Sequence, residues 1–316
     1  SMDGIDASII KSNGEDNYET VFDQYFEYDD EILRELINIR DKINCTDDLR
    51  VNSVLIDTLE RKITLFHAEI SQQIIEEYSL NIDLIGFHGQ TIFHNAGEKI
   101  SRQLGNGNLL SNLLKKKVIY NFRKNDIING GQGAPLAPIF HHLLVSQNKI
   151  KLPVCILNIG GIANITIISS KDSNNLKSYD IGPGNCLLDE WVRKHTKKKY
   201  DKNGEWAKIG TTSKIILNQA IDNFKNIKKK TKLSFDVKDF NLNFVRGLSL
   251  KDGLSTLTDF TASIIYDSII NAVSHTKGKD INVLVCGGGR KNLSLVSTIK
   301  KKLPNNIHLD LIDDYK

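Results

Sequence analysis

Short apolar runs bounded by glycine and polar residues alternate along the chain with longer stretches in which apolar side chains recur every three or four positions. The β-branched segment 5–10, the Asn13-Gly14 turn and segment 18–25 predict a hairpin. Asp29-Asp30 and Asp47-Asp48 precede periodic stretches and predict helices over 31–43 and 51–78; Val54, Leu55, Leu59, Ile63, Phe66, Ile70 and Ile74 form the stripe of the second. A buried strand over 84–87 then ends in a polar loop, His88-Gly89-Gln90-Thr91, at the carboxyl end where α/β sheets place ligands. A helix near 108–115, a strand at 118–121 and a polar loop with Arg123 and Asp126 lead into Gly130-Gly131-Gln132-Gly133-Ala134-Pro135. That glycine-rich segment reads as a hinge and puts a domain boundary near residue 135.

Beyond the hinge, the pattern predicts a helix over 138–145 and strands at 154–157 and 165–168, joined through Asn158-Ile159-Gly160-Gly161-Ile162-Ala163-Asn164. A strand at 177–180 runs into Ile181-Gly182-Pro183-Gly184-Asn185 and a helix over 187–195. Helices follow at 212–223 and 254–274, then a strand at 283–286, Gly287-Gly288-Gly289 and a helix over 292–301. The recurring order of strand, glycine-rich turn and helix predicts an α/β fold in two domains, 1–135 and 136–316.

Composition agrees with two globular domains: the chain has 316 residues, 40% of them hydrophobic, and a formal net charge of +4. No apolar run approaches the roughly 18 residues of a membrane span, and no signal-peptide pattern opens the chain. The lysine triplets at 115–117, 197–199, 228–230 and 300–302 are scattered and carry no interleaved aromatic residues, which predicts solvated surface and no nucleic-acid partner. Cys45, Cys155, Cys186 and Cys286 lack CxxC spacing, so reduced thiols and a cytoplasmic location are expected.

Four glycine-containing turns border strands: Met2-Asp3-Gly4, 158–164, 180–185 and 287–289. Glycine lets backbone amides approach an anion, so each reads either as a phosphate cradle or as a plain tight turn. None fits GxGxxG after a first strand or GxxxxGK[ST], which excludes the usual dinucleotide and P-loop patterns and leaves a kinase whose lobes each offer such turns. Asp180 is expected to end its strand before a Gly-Pro-Gly turn, as a general base facing a ligand or as a carboxylate bonded to its own turn. Arg123 reads as a carboxylate clamp or as the partner of Asp126 in a structural ion pair. His88, His94, His141 and His142 lack metal-ligand spacing, so no metal site is expected from the protein's own ligands.

In sequence order, Ser1-Met2-Asp3-Gly4-Ile5-Asp6, Gly86-Phe87-His88-Gly89-Gln90-Thr91-Ile92, Asn121-Phe122-Arg123, Gly130-Gly131-Gln132-Gly133-Ala134-Pro135-Leu136, Leu157–Asn164 and Asp180-Ile181-Gly182-Pro183-Gly184-Asn185 resemble the anhydro-N-acetylmuramic acid kinase family. The segments 256–262 and 286–290 extend the match. The resemblance implies two ribonuclease H-like lobes with an interlobe ATP cleft, as in sugar kinases, Hsp70 and actin. It implies a cell-wall recycling reaction in which water opens 1,6-anhydro-N-acetylmuramic acid while ATP, with Mg²⁺, phosphorylates O6. Asp180 would be the general base. Ser1, Met2, Asp3 and Gly4 would form a first phosphate loop. Asn158, Gly160, Gly161, Gly182, Gly184, Gly287, Gly288 and Gly289 would bind phosphate or nucleotide, and Gln90, Thr91 and Arg123 would face the sugar. A homodimer is implied as well. The family carries a strand ahead of the position of Ser1 and a helix beyond that of Lys316, so the resemblance implies a chain truncated at both ends. Two other readings are a sugar kinase acting on an ordinary hydroxyl and a fragment that binds sugar or nucleotide without turnover.

Overall fold

The structure, a computed structural model, describes residues 4–79, 81–230, 235, 237–274 and 280–315. The chain divides into two units, Ser1–Leu136 and Ala137–Lys316. In the first, β1 (Gly4–Ser12) and β2 (Tyr18–Glu27) pair antiparallel. The Asn13 side chain closes their turn by accepting the amides of Glu15, Asp16 and Asn17. Helices α1 (Asp30–Lys42), α2 (Thr46–Val51) and α3 (Ser53–Tyr78) follow. Asp29 caps α1 by accepting the Ile32 amide at 2.7 Å. The single helix expected over 51–78 starts instead after a break at Asn52, whose φ of −98° and ψ of 15° leave the helical region. Ile56, Leu59 and Ile63 of α3 pack with Leu36 and Ile39 of α1; of the predicted stripe Leu59, Ile63, Ile70 and Ile74 are buried, while Val54 and Leu55 are exposed and Ile56, outside it, faces the core.

The rest of the first unit is β3 (Leu84–Phe87), β4 (Gln90–Asn95), β5 (Ile100–Leu104), α4 (Gly107–Leu114), β6 (Lys117–Tyr120) and α5 (Phe122–Ile128). β3 and β6 run parallel, while β4 and β5 form an antiparallel pair. Three expectations are corrected here. The strand over 84–87 buries only Phe87 and leaves Leu84 and Gly86 exposed. Gln90 and Thr91 open a strand, opposite Leu104 and Gln103, rather than lying in a loop. Arg123 and Asp126 sit on a helix, α5.

The second unit opens with α6 (Pro138–Gln147), followed by β7 (Val154–Ile159), β8 (Ile162–Ile168) and β9 (Lys177–Pro183). Next come α7 (Cys186–His195), α8 (Glu205–Ile209), α9 (Lys214–Lys230) and α10 (Leu250–Val273). β10 (Ile281–Cys286), α11 (Leu293–Lys302) and β11 (Ile307–Leu311) complete it. The sheet order is β11-β10-β7-β8-β9. β7, β8 and β9 form an antiparallel meander, and β10 and β11 add parallel to β7 on its other side. This mixed order is that of a ribonuclease H-like lobe. In the first unit the hairpin β1–β2, the parallel pair β3–β6 and the hairpin β4–β5 are three separate two-stranded sheets among the described residues.

β7 is central, so both faces are covered and its run reads as continuously apolar: Val154, Cys155, Ile156, Leu157 and Ile159 are all buried. α10 is covered on several sides, flanked by α7, α8, α9 and α11 as well as the sheet, and buries small hydroxyl residues beside its apolar ones; Leu254, Leu257, Phe260, Ile264, Ile265 and Ile269 belong to one core.

Beside that core, α6 buries His141, whose Nδ1 lies 2.9 Å from Thr166 Oγ1 on β8. Burial pushes the imidazole down to about 4 from the ordinary 6.5. The folded state therefore holds His141 neutral where the unfolded chain binds a proton. Its stabilising contribution is complete above about pH 6.5 and is lost as pH falls toward 4. Between pH 7.5 and 5 the loss is about 2 kcal/mol. In urea titrations at those two pH values, His141→Gln is expected to show a smaller drop in midpoint than the parent. An equal drop would place the acid sensitivity elsewhere.

Candidate functional site

Three glycine turns of the second unit converge at the end of β7. The β7–β8 turn presents the carbonyls of Gly160 and Gly161 inward. Gly160 accepts the Asn185 amide at 2.8 Å, and Gly161 accepts those of Gly184 at 2.9 Å and Cys186 at 3.2 Å. The turn into α7 is thus seated on the β7–β8 turn, and a Cβ at Gly184 would run into the Gly160 carbonyl oxygen. From the other side, Gly287 has φ 78°, with the position of a Cβ lying 2.8 Å from the Ile159 oxygen. Arg290 holds this third turn through Nη1 to the Gly287 carbonyl at 3.0 Å, and its Nε reaches Asp313 Oδ2 at 2.6 Å.

The glycines that the resemblance assigns to phosphate accordingly do different work. Gly184, Gly287 and Gly289 face β7 or its turn, and Gly182 faces Phe224. The Gly184 amide donates to the Gly161 carbonyl at 2.9 Å, so this glycine shapes the turn. Gly161 and Gly288 are exposed, and nothing lies within 4 Å of a Cβ built at Gly288. Together with half-buried Gly160 and Asn158, they form an open-faced edge that backbone atoms can offer to an anion. Ser1, Met2 and Asp3 lie outside the described residues. Gly4 belongs to β1, opposite Glu27.

Asp180 lies within β9 rather than at its end. A register shift between Ala163 and Asn164 leaves Asn164 opposite Asp180 and Ala163 opposite Gly182, so Ile181 is the extra residue of a bulge, with its side chain wholly buried. The half-buried carboxylate accepts the Phe235 amide on Oδ2 at 3.0 Å, a partner from far along the chain. Phe235 is held against Phe240 and Phe224, at ring separations of 5.4 and 6.0 Å. Its neighbours Ser234 and Asp236 lie outside the described residues.

In the first unit, Gln90 and Thr91 belong to one hydrogen-bonded cluster and Arg123 to another. Gln103 of β5 donates to Thr91 Oγ1 at 3.3 Å and to Ser101 Oγ at 2.7 Å, and His94 Nδ1 lies 3.1 Å from the same Ser101 hydroxyl. Gln90, nearly buried, donates to the Thr91 carbonyl at 3.3 Å. Arg123 donates from Nε to His88 Nε2 at 3.1 Å and from Nη1 to the Gly133 carbonyl at 3.4 Å. Asp126 accepts the Gly133 amide on Oδ2 at 2.7 Å, and its carbonyl accepts the Gly131 amide at 2.8 Å. The ion-pair alternative for Arg123 and Asp126 thus gives way to a carboxylate that closes the glycine-rich segment. Gln103, Ser101 and Phe235 escaped sequence reading because strand pairing and a distant loop bring them in.

His88 and His94 sit beside a cation instead of forming a metal site. Burial, with Arg123 next, holds both imidazoles below the ordinary histidine range. Among the described residues no group of three or more His, Cys, Asp or Glu side chains is placed to hold a metal. Burial pushes Cys186 up to about 12 and Cys286 to about 11, which suits packing and not nucleophilic catalysis. No helix among the described residues is long and apolar enough to cross a membrane.

A family model described as anhydro-N-acetylmuramic acid kinase matches residues 1–316. A protein of that name from Pelagibacter ubique (strain HTCC1062) is 65% identical over 316 residues, covering 100% of this chain and 84% of the relative. One from Agrobacterium fabrum is 34% identical over 307 residues, 92% of this chain and 78% of the relative. Among solved structures, the activator of the 2-hydroxyisocaproyl-CoA dehydratase from Clostridium difficile with bound ADPNP aligns with a TM-score of 0.35 at 12% identity, over 72% of this chain and 86% of that one. That last likeness is too slight to carry weight. With a family match along its whole length and relatives well above 30% identity, the chain belongs to the anhydro-N-acetylmuramic acid kinase family.

Proposed function

We propose that the protein is an ATP-dependent kinase, acting in the cytoplasm, that opens 1,6-anhydro-N-acetylmuramic acid with water and phosphorylates O6, giving N-acetylmuramic acid 6-phosphate and ADP. The observation that carries this reading is Asp180: a half-buried carboxylate that accepts the Phe235 amide, on the strand that leads into the converging glycine turns. Water is a weak nucleophile, and Asp180 takes its proton as the oxygen attacks carbon 1. The bond from carbon 1 to O6 breaks, its electron pair stays on O6, and O6 becomes the nucleophile toward the γ-phosphorus, with ADP as leaving group. One base thereby serves both bond changes, and its proton returns to solvent.

ATP supplies the phosphoryl group. The exposed faces of Gly161 and Gly288, with Gly160 and Asn158, are the parts of this chain suited to its phosphates, since no Cβ occupies that space. Mg²⁺ would enter on the nucleotide, as suits an ion held mainly through phosphates and water. In the first unit, Arg123 supplies a fixed cation for the lactyl carboxylate, and Gln90 and Thr91 offer neutral polar groups to the sugar.

The test is coupled ADP release with 1,6-anhydro-N-acetylmuramic acid and, separately, with N-acetylglucosamine. Turnover is expected with the anhydrosugar and its product should carry phosphate on O6. ADP release with only the free-hydroxyl sugar would replace this reading with ordinary sugar phosphorylation.

A further inference from the structure

His88 and Arg123 of the first unit are bonded to each other directly, through Arg123 Nε and His88 Nε2. His88 Nδ1 lies 2.7 Å from the Gly89 carbonyl oxygen. A carbonyl only accepts, so Nδ1 carries the hydrogen. In the neutral ring Nε2 is then a bare acceptor, and it faces the Nε–H of Arg123 at 3.1 Å. Protonating His88 would set N–H against N–H and cation against cation. The Gly89 carbonyl therefore selects one tautomer, and that tautomer orients the guanidinium.

We infer that His88 is a positioning residue for Arg123: as its Nδ1–H tautomer it holds the guanidinium by Nε in the orientation that receives the substrate's carboxylate. The inference rests on the reading of Arg123 as the carboxylate clamp. Nε is one edge of the guanidinium fork, so fixing it, with Nη1 steered toward Gly133, sets the plane in which a carboxylate must approach. A positioned guanidinium loses less freedom on binding than a swinging one, and this effect belongs to ground-state binding as much as to the transition state.

The experiment compares His88→Ala, His88→Gln and Arg123→Ala, each against 1,6-anhydro-N-acetylmuramic acid and against 1,6-anhydro-N-acetylglucosamine, which lacks the lactyl carboxylate. His88→Ala is expected to raise KM for the acidic sugar roughly tenfold, the size of one lost charge-assisted hydrogen bond, with a smaller change in kcat. For the neutral sugar it should leave kcat/KM nearly as in the parent. His88→Gln, whose Oε1 can replace the Nε2 acceptor, should restore most of the affinity. A normal KM in His88→Ala beside a raised one in Arg123→Ala would overturn the positioning role alone. So would equal losses on both sugars, or failure of glutamine to rescue. A normal KM in Arg123→Ala would overturn the carboxylate clamp and the inference with it.

Discussion

Asp180→Asn is expected to lower turnover of the anhydrosugar by about three orders of magnitude, the middle of the range for removal of a positioned general base. The substitution separates the two roles that a carboxylate at this place can have. Asparagine is nearly isosteric, and its side-chain oxygen can still accept the Phe235 amide that Asp180 holds at 3.0 Å. Packing of Phe235 on Phe224 and Phe240 should then persist, and with it the fold around the bulge at Ile181. What disappears is the capacity to take a proton from water. The measurement is single-turnover formation of sugar phosphate alongside nucleotide affinity and thermal unfolding. Loss of chemistry with nucleotide affinity and unfolding temperature largely retained is the expected combination. Near-normal turnover would remove Asp180 from the mechanism, and a variant that loses both turnover and stability would mark the carboxylate as a structural anchor.

The element pattern behind this site was largely legible in the chain. β7 and β10 announce themselves as short, nearly continuous apolar runs because a central parallel position buries both faces. α1, α3 and α10 were legible through their periodic apolar positions, and the family-like motifs pointed to Asp180 as the candidate base. The hairpin β4–β5 was not legible, since its residues are mostly polar and half-buried and their strand character comes from pairing. α5 is a seven-residue helix with no side-chain cap, so its Arg-Lys-Asn-Asp composition looked like a loop. Asp180 was placed at a strand end because a bulge, which depends on the neighbouring strand's register, has no signature of its own. Glycine counts were equally silent about which glycine faces protein and which faces solvent.

That last distinction leads to opposite expectations for Gly184 and Gly288, which one strand, β10, separates in sequence. Gly184→Ala should destabilise the second unit by about 3 kcal/mol, at the upper end for overpacking, because its methyl group meets a backbone carbonyl and not a movable side chain. Gly160 cannot retreat easily: its carbonyl already accepts the Asn185 amide, while Gly161 accepts the Gly184 and Cys186 amides, so any shift stretches the contacts that seat α7. Gly288→Ala meets nothing within 4 Å and should unfold with the parent, yet it places a methyl group on the exposed edge assigned to phosphate. Its expected result is weaker ATP binding, read as a raised KM for ATP and a lowered affinity for a non-hydrolysable analogue, with KM for the anhydrosugar nearly unchanged. Urea unfolding and nucleotide titration on both variants test the pair. If Gly288→Ala binds nucleotide normally, the third turn does not contact it; if Gly184→Ala is as stable as the parent, the seat between the two turns is looser than its hydrogen bonds imply. Stability lost at one glycine and nucleotide affinity at the other would divide the family's glycine-rich motifs into those that build the end of β7 and those that use it.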